Sequence, residues 1–195
     1  MPIYCLAIHP GKSTLSIFSE IKSKLRSGLG RYYGSVNSQA HMTLILFVAS
    51  EEDYPQILEE FRRVLISLAP FDIDLKNFGD FSSAISCIFY AKPAKASAIQ
   101  IRKYCRIIEK KFDKTIKKKC NDWQVRALIS PHMTIARELT REEISLAYKL
   151  FANGFLHSFS CSSFAIRKFN ELIGQYEVID EIPFLGGRQM RLSFC

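Results

Sequence analysis

The stretch His-Met-Thr-Leu-Ile-Leu-Phe-Val at residues 41–48 decides the fold, together with its repeat His-Met-Thr-Ile-Ala at residues 132–136. The chain has only four histidines, and two of them begin these stretches. Both stretches are short, apolar and typical of β-strands, in which alternate side chains face opposite ways. Alternation predicts that the His, the Thr and the second residue after the Thr share one face in each copy: His41, Thr43 and Ile45, and His132, Thr134 and Ala136.

The composition is that of a packed protein. Of 195 residues, 48% are hydrophobic and 24% are charged, which suits one domain or two small lobes. No apolar run approaches the ~20 residues of a membrane-spanning helix. The first residues lack the basic and apolar regions of a signal peptide. We expect a cytoplasmic protein with no membrane segment, acting as a monomer.

Six cysteines are scattered without any Cys-x-x-Cys pair: Cys5, Cys87, Cys105, Cys120, Cys161 and Cys195. Without an export signal we expect them to be reduced. No Cys or His falls into a metal-ligand spacing with another. We therefore predict no bound metal and no cofactor.

The charge balance is basic, with a net charge of +8. It favours anionic partners such as RNA ends or small nucleotides, mainly through electrostatic steering. Many cytosolic proteins are simply basic, so charge alone decides little. A predicted helix over residues 94–118 carries much of this charge. We interpret this charged face as solvated and not as an RNA-binding surface, because no aromatic residues that could stack on bases are interleaved among its exposed charges.

In the first half we predict a strand over 2–8, a helix over 13–26, a glycine- and tyrosine-rich loop over 28–38 and the first His-x-Thr strand over 41–49. A helix over 50–68 follows, beginning after Ser50. Two strands, over 71–75 and 84–91, then lie around a turn at Gly79-Asp80. The loop at 28–38 is either a mobile segment over a site or a plain connector.

In the second half the long helix precedes the second His-x-Thr strand. Thr140 and Glu143 predict a capping box for a helix that Asn153-Gly154 ends. Two long strands, Phe155–Phe169 and Gln175–Phe184, then flank a turn at 170–174, and a final strand covers Met190–Phe194.

The two halves repeat one order of elements: a strand, a helix, a His-x-Thr strand, a capped helix and an alternating strand. We predict an α+β fold in a single bilobal domain over 1–195, with pseudo-repeats at about 1–80 and 82–184. Two antiparallel sheets would face a central cleft with helices outside. A pseudo-twofold axis would bring His41 and His132 to face each other there, where pockets commonly form.

Two facing His-x-Thr strands suit phosphodiester chemistry. Such transfer needs one base and one acid, and an imidazole with a pKa of ~6.5 serves either role. Thr43 and Thr134 could donate hydrogen bonds to the non-bridging phosphate oxygens. Arg137 has the charge to neutralise a phosphate, but simple alternation turns it away from His132 unless the strand ends or bulges.

Other candidates carry weaker signals. A lone His on a strand is usually structural, and we assign His9 and His157 that role. Tyr32, Tyr33 and Trp123 could stack on bases, although packing is the favoured interpretation for each. Arg126 could contact substrate or lie on the surface.

The paired His-x-Thr-hydrophobic motifs resemble those of the two-histidine (2H) phosphoesterase superfamily. Residues 131–137, Pro-His-Met-Thr-Ile-Ala-Arg, are similar to the second motif of its bacterial 2′-5′ RNA ligase and cyclic phosphodiesterase branch. The resemblance covers nearly the whole chain. It implies a bilobal α+β fold and metal-independent chemistry on 2′,3′-cyclic phosphates or 2′-5′ linkages.

Three functions follow as hypotheses. The first is an RNA-processing phosphodiesterase with reversible 2′-5′ ligase activity. The second is a sensor that binds AMP-like nucleotides in the same cleft without turnover. The third is a phosphodiesterase acting on cyclic nucleotides or 2′-5′ oligoadenylate.

Overall fold

Two antiparallel β-sheets with surrounding helices form the protein, as the sequence predicts. The computed structural model describes residues 1–83 and 86–186. The nine strands of that part are β1 Ile3–Ile8, β2 Met42–Val48, β3 Phe71–Phe81, β4 Cys87–Pro93, β5 Asn121–Gln124, β6 Met133–Leu139, β7 Leu156–Cys161, β8 Ser163–Asn170 and β9 Gln175–Pro183. The helices are α1 Lys12–Leu29, α2 Tyr54–Leu65, α3 Lys95–Lys111, α4 Lys114–Lys117, α5 Arg126–Ile129 and α6 Arg141–Leu150.

Each His-x-Thr strand lies in a different sheet. The five-stranded sheet has the order β5-β2-β1-β8-β9, and the four-stranded sheet has the order β6-β4-β3-β7. Strands from the two halves of the chain pair with each other in both sheets, since β3 pairs with β4 and β7, and β8 pairs with β1. This exchange ties both sheets into one structure and lets the two His-x-Thr strands approach each other.

Aromatic clusters pack helices against the sheets. Phe47 and Phe61 join β2 to α2 through a ring contact of 5.7 Å. Phe78 and Phe89 stack at 5.0 Å within the four-stranded sheet, and Phe151, just after α6, packs on both. These rings are mostly buried, so the core removes large apolar side chains from water.

Both His-x-Thr strands contain a β-bulge directly after the Thr. In β2, Thr43 pairs with Ala7 and Ile45 with Leu6, so Leu44 is the extra residue. In β6, Thr134 pairs with Tyr90 and Ala136 with Phe89, which leaves an extra residue between them. A bulge shifts the alternation by one position.

The prediction that Ile45 shares a face with His41 and Thr43, and Ala136 with His132 and Thr134, was therefore wrong. Ile45 and Ala136 are both fully buried and turn away from the cleft. Leu46 and Arg137, each five residues after its histidine, face the cleft in their place.

Several predicted boundaries were also wrong. The expected strand over 155–169 is two strands, because the chain leaves one sheet at Ser162 and enters the other. The chain does not turn at Gly79-Asp80, since both residues pair within β3 and β4. A Cβ on Gly79 would lie 2.9 Å from the Tyr90 ring, so glycine permits a close approach there.

Two helices are shorter than predicted. The helix expected over 94–118 stops at Phe112, whose backbone is extended, and Asp113 then caps α4 by accepting from the main chain of Thr115 and Ile116. The helix expected after Ser50 begins at Tyr54, because Ser50 forms a turn in which its Oγ accepts from the amide of Asp53. The capping box of Thr140 and Glu143 is confirmed.

Lys103, Arg106, Lys110 and Lys111 of the long basic helix are exposed, which fits a solvated face and an RNA-binding surface equally. No helix in residues 1–83 or 86–186 is long and apolar enough to cross a bilayer. The final strand predicted over Met190–Phe194 lies outside the described residues.

Candidate active site

The two repeated histidines occupy matching positions, each one residue before its strand. Nδ1 of His41 lies 2.8 Å from the carbonyl oxygen of Gln39, and Nδ1 of His132 lies 2.8 Å from that of Ser130. A carbonyl oxygen only accepts, so Nδ1 is the protonated nitrogen in each neutral ring. Nε2 is thereby left as the nitrogen that can take up or donate a proton.

One cavity of about 390 Å³ joins the predicted side chains. The five residues selected from the sequence all line it: His41, Thr43, His132, Thr134 and Arg137. It lies between the two sheets, with β2 on one side and β6 on the other. Its volume falls within the ~300–1,000 Å³ usual for small-molecule sites.

Arg137 faces this cavity because of the bulge after Thr134. Its backbone is held as well, since its amide donates to the carbonyl of Gly34 at 2.9 Å. Gly34 thereby forms an isolated β-bridge to Arg137 at the edge of β6, and the segment 34–39 borders the cleft. This favours the interpretation of the glycine- and tyrosine-rich loop as part of a site, although its first residues, 28 and 29, belong to α1.

Lys22, on α1, holds the segment 34–39 in place through two hydrogen bonds. It is only 4% exposed, and its Nζ donates to the carbonyl oxygens of Ser35 and Ser38 at 2.7 and 2.6 Å. Burial, with Arg137 and Arg167 nearby, lowers the pKa of Lys22 to about 8. The same segment carries Gln39, whose carbonyl orients His41, so Lys22 supports the histidine indirectly.

The His41 imidazole is held in its neutral form. Burial is the largest cause, and the nearby Arg167, Arg137 and Lys22 add to it, so that the pKa of His41 falls to about 3 despite the opposing bond to Gln39. Three cationic side chains therefore lie near His41, which suits this part of the cleft to an anion.

His132 has different neighbours. Burial lowers its pKa, Arg137 adds to this and the bond to Ser130 opposes it. Its ring meets the edge of Phe81 at 4.9 Å and lies 5.0 Å from Tyr90. The two imidazoles therefore share a backbone geometry but differ in surroundings, cationic for His41 and aromatic for His132.

Arg167 is the residue that sequence reasoning missed most clearly. It lies on β8 opposite Cys5, is 1% exposed, and donates through Nη2 to the carbonyl of Tyr176 at 2.6 Å. Its Nε and Nη1 have no partner among the described residues. The only sequence signal was an arginine within an apolar strand, where a charged residue is rare.

The four candidates with weaker sequence signals lie in different surroundings. Arg126 lines the cavity. Tyr33 is buried, with its hydroxyl donating to the carbonyl of Lys22, and Trp123 packs on Phe61, so packing was the right interpretation for both. Tyr32 is exposed and covers Arg26. Among the described residues, no three His, Cys, Asp or Glu side chains are grouped to hold a metal ion.

The remaining histidines lie outside the cavity. His157 Nε2 bonds Thr14 Oγ1 at 2.8 Å, and burial lowers the pKa of His9. The structural role expected for both histidines stays a prediction.

Comparison with solved structures supports the fold. The protein TT0787 of Thermus thermophilus is 19% identical, with a TM-score of 0.66 over 96% of this chain and 100% of that one. Escherichia coli LigT complexed with 3′-AMP is 12% identical, with a TM-score of 0.59 over 94% and 98%. Kluyveromyces marxianus Usb1 with uridine monophosphate is 13% identical, with a TM-score of 0.57 over 93% and 98%.

Sequence comparison identifies the family. No curated protein matches the chain significantly. The family model of the 2′-5′ RNA ligase superfamily matches residues 17–171, a span that contains both His-x-Thr motifs. The resemblance to two-histidine phosphoesterases is thereby confirmed, and the chain belongs to the 2′-5′ RNA ligase superfamily.

Proposed function

We propose that this protein is a phosphodiesterase that acts on 2′,3′-cyclic phosphates or 2′-5′ linkages of RNA or nucleotides, with His41 and His132 as its acid–base pair. The observation that carries the proposal is their matched geometry. Both imidazoles line the same cavity. In each, Nδ1 donates a hydrogen bond to a backbone carbonyl oxygen, which leaves Nε2 for proton transfer. The superfamily as a whole supports phosphodiesterase or ligase activity.

With a 2′,3′-cyclic phosphate, one imidazole accepts a proton from the attacking water, whose oxygen bonds to phosphorus. The P–O3′ bond breaks, and the other imidazole donates its proton to O3′, so the product is a 2′-phosphate. With a 2′-5′ linkage, the neighbouring 3′-hydroxyl attacks instead and the 5′-oxygen leaves. The reverse of that step joins two ends, which accounts for ligation.

The other side chains of the cavity would stabilise the phosphate. Thr43 and Thr134 would donate hydroxyl hydrogens to its non-bridging oxygens, where charge collects in the transition state. Arg137 would neutralise that charge directly. The substrate's negative charge would also raise the pKa values of both imidazoles, which makes the protonated form available once substrate is bound.

The ligands of the structural relatives agree with a nucleotide substrate. Structures of Escherichia coli LigT contain 3′-AMP, phosphate or ATP, and one of Kluyveromyces marxianus Usb1 contains uridine monophosphate. Those ligands belong to those proteins. For this chain they support RNA ends or small nucleotides as the substrate.

The test is hydrolysis of an RNA oligonucleotide ending in a 2′,3′-cyclic phosphate, in EDTA, across pH 5–9. We expect wild-type turnover and a loss of about 10²–10⁴-fold in His41→Ala and in His132→Ala. His157→Asn is the matched control, because His157 lies outside the cavity, and it should stay active. Retained turnover in either cavity variant would refute the acid–base pair.

One observation favours the sensor as a second candidate. Burial lowers the pKa of His41 to about 3 in the free protein, so this imidazole is neutral before an anion binds. A sensor would bind an AMP-like nucleotide without consuming it. Nucleotide binding by calorimetry, combined with no turnover of any cyclic or linear substrate by folded protein, would establish that alternative.

A further inference from the structure

The net charge of the protein is concentrated in one segment of the chain. Of the 27 Lys and Arg and the 19 Asp and Glu, residues 95–130 contain 11 basic and 3 acidic residues. The remaining residues contain 16 of each, so the segment that forms α3, α4, β5 and α5 carries the whole net charge of +8. Such an uneven distribution is the electrostatic signature of a surface that attracts polyanions.

Three basic residues form a row along one flank of α3. Arg102, Arg106 and Lys110 are four residues apart, so their side chains follow one another on the helix surface. Among the described residues none of these three forms an ion pair, because the single acidic residue of α3, Glu109, binds Lys117 at 3.0 Å and Trp123 instead. Like charges at this spacing destabilise a helix. An anionic partner lying along the row would remove that repulsion.

Helix α5 connects this row with the cavity of the candidate active site. Its first residue, Arg126, lines the cavity together with His132. The carbonyl oxygen of its last residue, Ile129, accepts a hydrogen bond from Nη2 of Arg102 at 3.3 Å. The row then extends from Arg102 to Lys110 over ~12 Å of helix. Positive charge therefore continues from the cavity across α5 and along α3. We call these residues the α3–α5 band: Arg102, Arg106, Lys110 and Arg126.

The chemistry of the α3–α5 band fits a double-stranded RNA stem better than a single strand. The bases of a single strand stack on exposed aromatic side chains, but α3 and α5 contain one aromatic residue, Tyr104, and it is buried. An RNA duplex keeps its bases stacked inside and is recognised through its shape, phosphates and 2′-hydroxyls. The lack of exposed aromatic residues, which disfavours a single strand, therefore does not disfavour a duplex.

We propose that the α3–α5 band binds the phosphate backbone of a double-stranded RNA stem whose strand end enters the cavity. The choice of RNA as the polyanion rests on the proposed function. The band adds affinity through phosphates that lie outside the cavity and takes no part in the chemical step. A cyclic phosphate at the end of a stem is therefore used with a lower KM than the same group on a mononucleotide.

Binding is measured by fluorescence anisotropy with an RNA hairpin that ends in a 3′-hydroxyl and with a single strand of the same length. The double variant Arg106→Gln/Lys110→Gln removes two charges of the band and leaves Arg102 and Arg126 in place. It should weaken hairpin binding about tenfold at about 0.1 M salt, and lower the slope of log Kd against log salt by about two.

The matched control is Lys24→Gln/Lys149→Gln, which removes the same charge from exposed positions of α1 and α6 and should bind the hairpin as wild type does. An equal loss in the two double variants would overturn the inference, because net charge alone would then explain the binding. Tighter binding of the single strand than of the hairpin would also overturn it. So would binding to phosphatidylserine vesicles without binding to the hairpin, which would assign the band to a membrane surface.

Turnover separates this inference from the proposed function. In Arg106→Gln/Lys110→Gln, kcat/KM should fall about tenfold for a hairpin ending in a 2′,3′-cyclic phosphate and stay unchanged for adenosine 2′,3′-cyclic phosphate. Wild-type turnover of the mononucleotide without any binding of the hairpin would overturn the inference and leave the proposed function standing. Failure to turn over either substrate would refute the proposed function, and the anisotropy measurement would then decide by itself whether the band binds RNA.

Discussion

His41 and His132 orient their imidazoles in the same way: each places Nδ1 2.8 Å from the carbonyl oxygen of the residue two positions earlier in the chain. The matching geometry arises because each histidine directly precedes a strand, so its side chain folds back over its own approach segment. Both rings are thereby set in one tautomer, and the resulting predictions concern their protons.

We expect Nδ1 to be the protonated nitrogen of both His41 and His132 at neutral pH. Long-range ¹⁵N–¹H correlation spectra distinguish the two neutral tautomers by the ¹⁵N shifts. His157 provides an internal comparison, since its Nε2 faces Thr14. A spectrum in which His41 or His132 carries its proton on Nε2 would contradict the assignment of that nitrogen as the proton acceptor.

Stability should fall as the pH falls below neutrality. His41 has an ordinary pKa of 6.5 when unfolded and about 3 when folded, so between these values the unfolded chain binds the additional proton. The free energy of unfolding then decreases with falling pH, by at most about 1.4 kcal/mol per pH unit and less because the ring is partly exposed. Urea unfolding at pH 7 and pH 5 measures this.

The matched variant for that titration is His41→Gln, which cannot take up the proton. Its loss of stability between pH 7 and pH 5 should be smaller than in wild type. An equal loss in the two proteins would show that His41 does not contribute.

Arg167 should contribute to the lowered pKa of His41, for which burial is the larger cause. Replacing Arg167 with Met removes a buried positive charge near the imidazole, so the pKa of His41 should rise. Arg167→Lys keeps a charge and should change it less. Proton NMR titration of the ring C–H signals measures both, and Arg106→Met, on the exposed side of α3, is the control. An unchanged His41 midpoint in Arg167→Met would be evidence against this role.

Lys22→Met should loosen the segment 34–39. The substitution removes the Lys22 donor from the carbonyl oxygens of Ser35 and Ser38, and only Ser35 keeps another donor, the amide of Ser38 at 3.1 Å. An acceptor left unsatisfied in a part-buried site is costly. Hydrogen exchange in residues 34–39 should become faster. Lys24→Met is the control, because Lys24 lies on the same helix and is exposed. Unchanged exchange in Lys22→Met would mean that the pairing of Gly34 with Arg137 suffices to hold the segment.

Thr140→Ala should destabilise the protein without altering its chemistry. Thr140 accepts from the amide of Glu143 at 3.2 Å and the Glu143 carboxylate accepts in return at 2.8 Å. Loss of such a cap costs ~1 kcal/mol, or about 2–4 °C in Tm for a chain of this size. Calorimetry measures the shift. Ser145→Ala, further along the same helix, should lower Tm by less.

The sequence alone was sufficient for the capping box and most helices. These features depend on local chemistry: a hydroxyl followed three residues later by a carboxylate, or apolar residues at helical spacing, act between neighbours in the chain. The convergence of both His-x-Thr motifs on one cavity follows from the matching order of elements around them.

Tertiary structure decided the features that depend on partners distant in sequence. The bulges after Thr43 and Thr134 exist only against their paired strands, and they exchange Ile45 for Leu46 and Ala136 for Arg137 at the cleft. The strand expected over 155–169 divides at Ser162 because its two parts pair with different sheets. Arg167 comes near His41 through pairing with β1, more than 100 residues away in the chain. Alternation within a strand carries no information about its partner's register, so none of these contacts could be predicted from residues near each other in sequence.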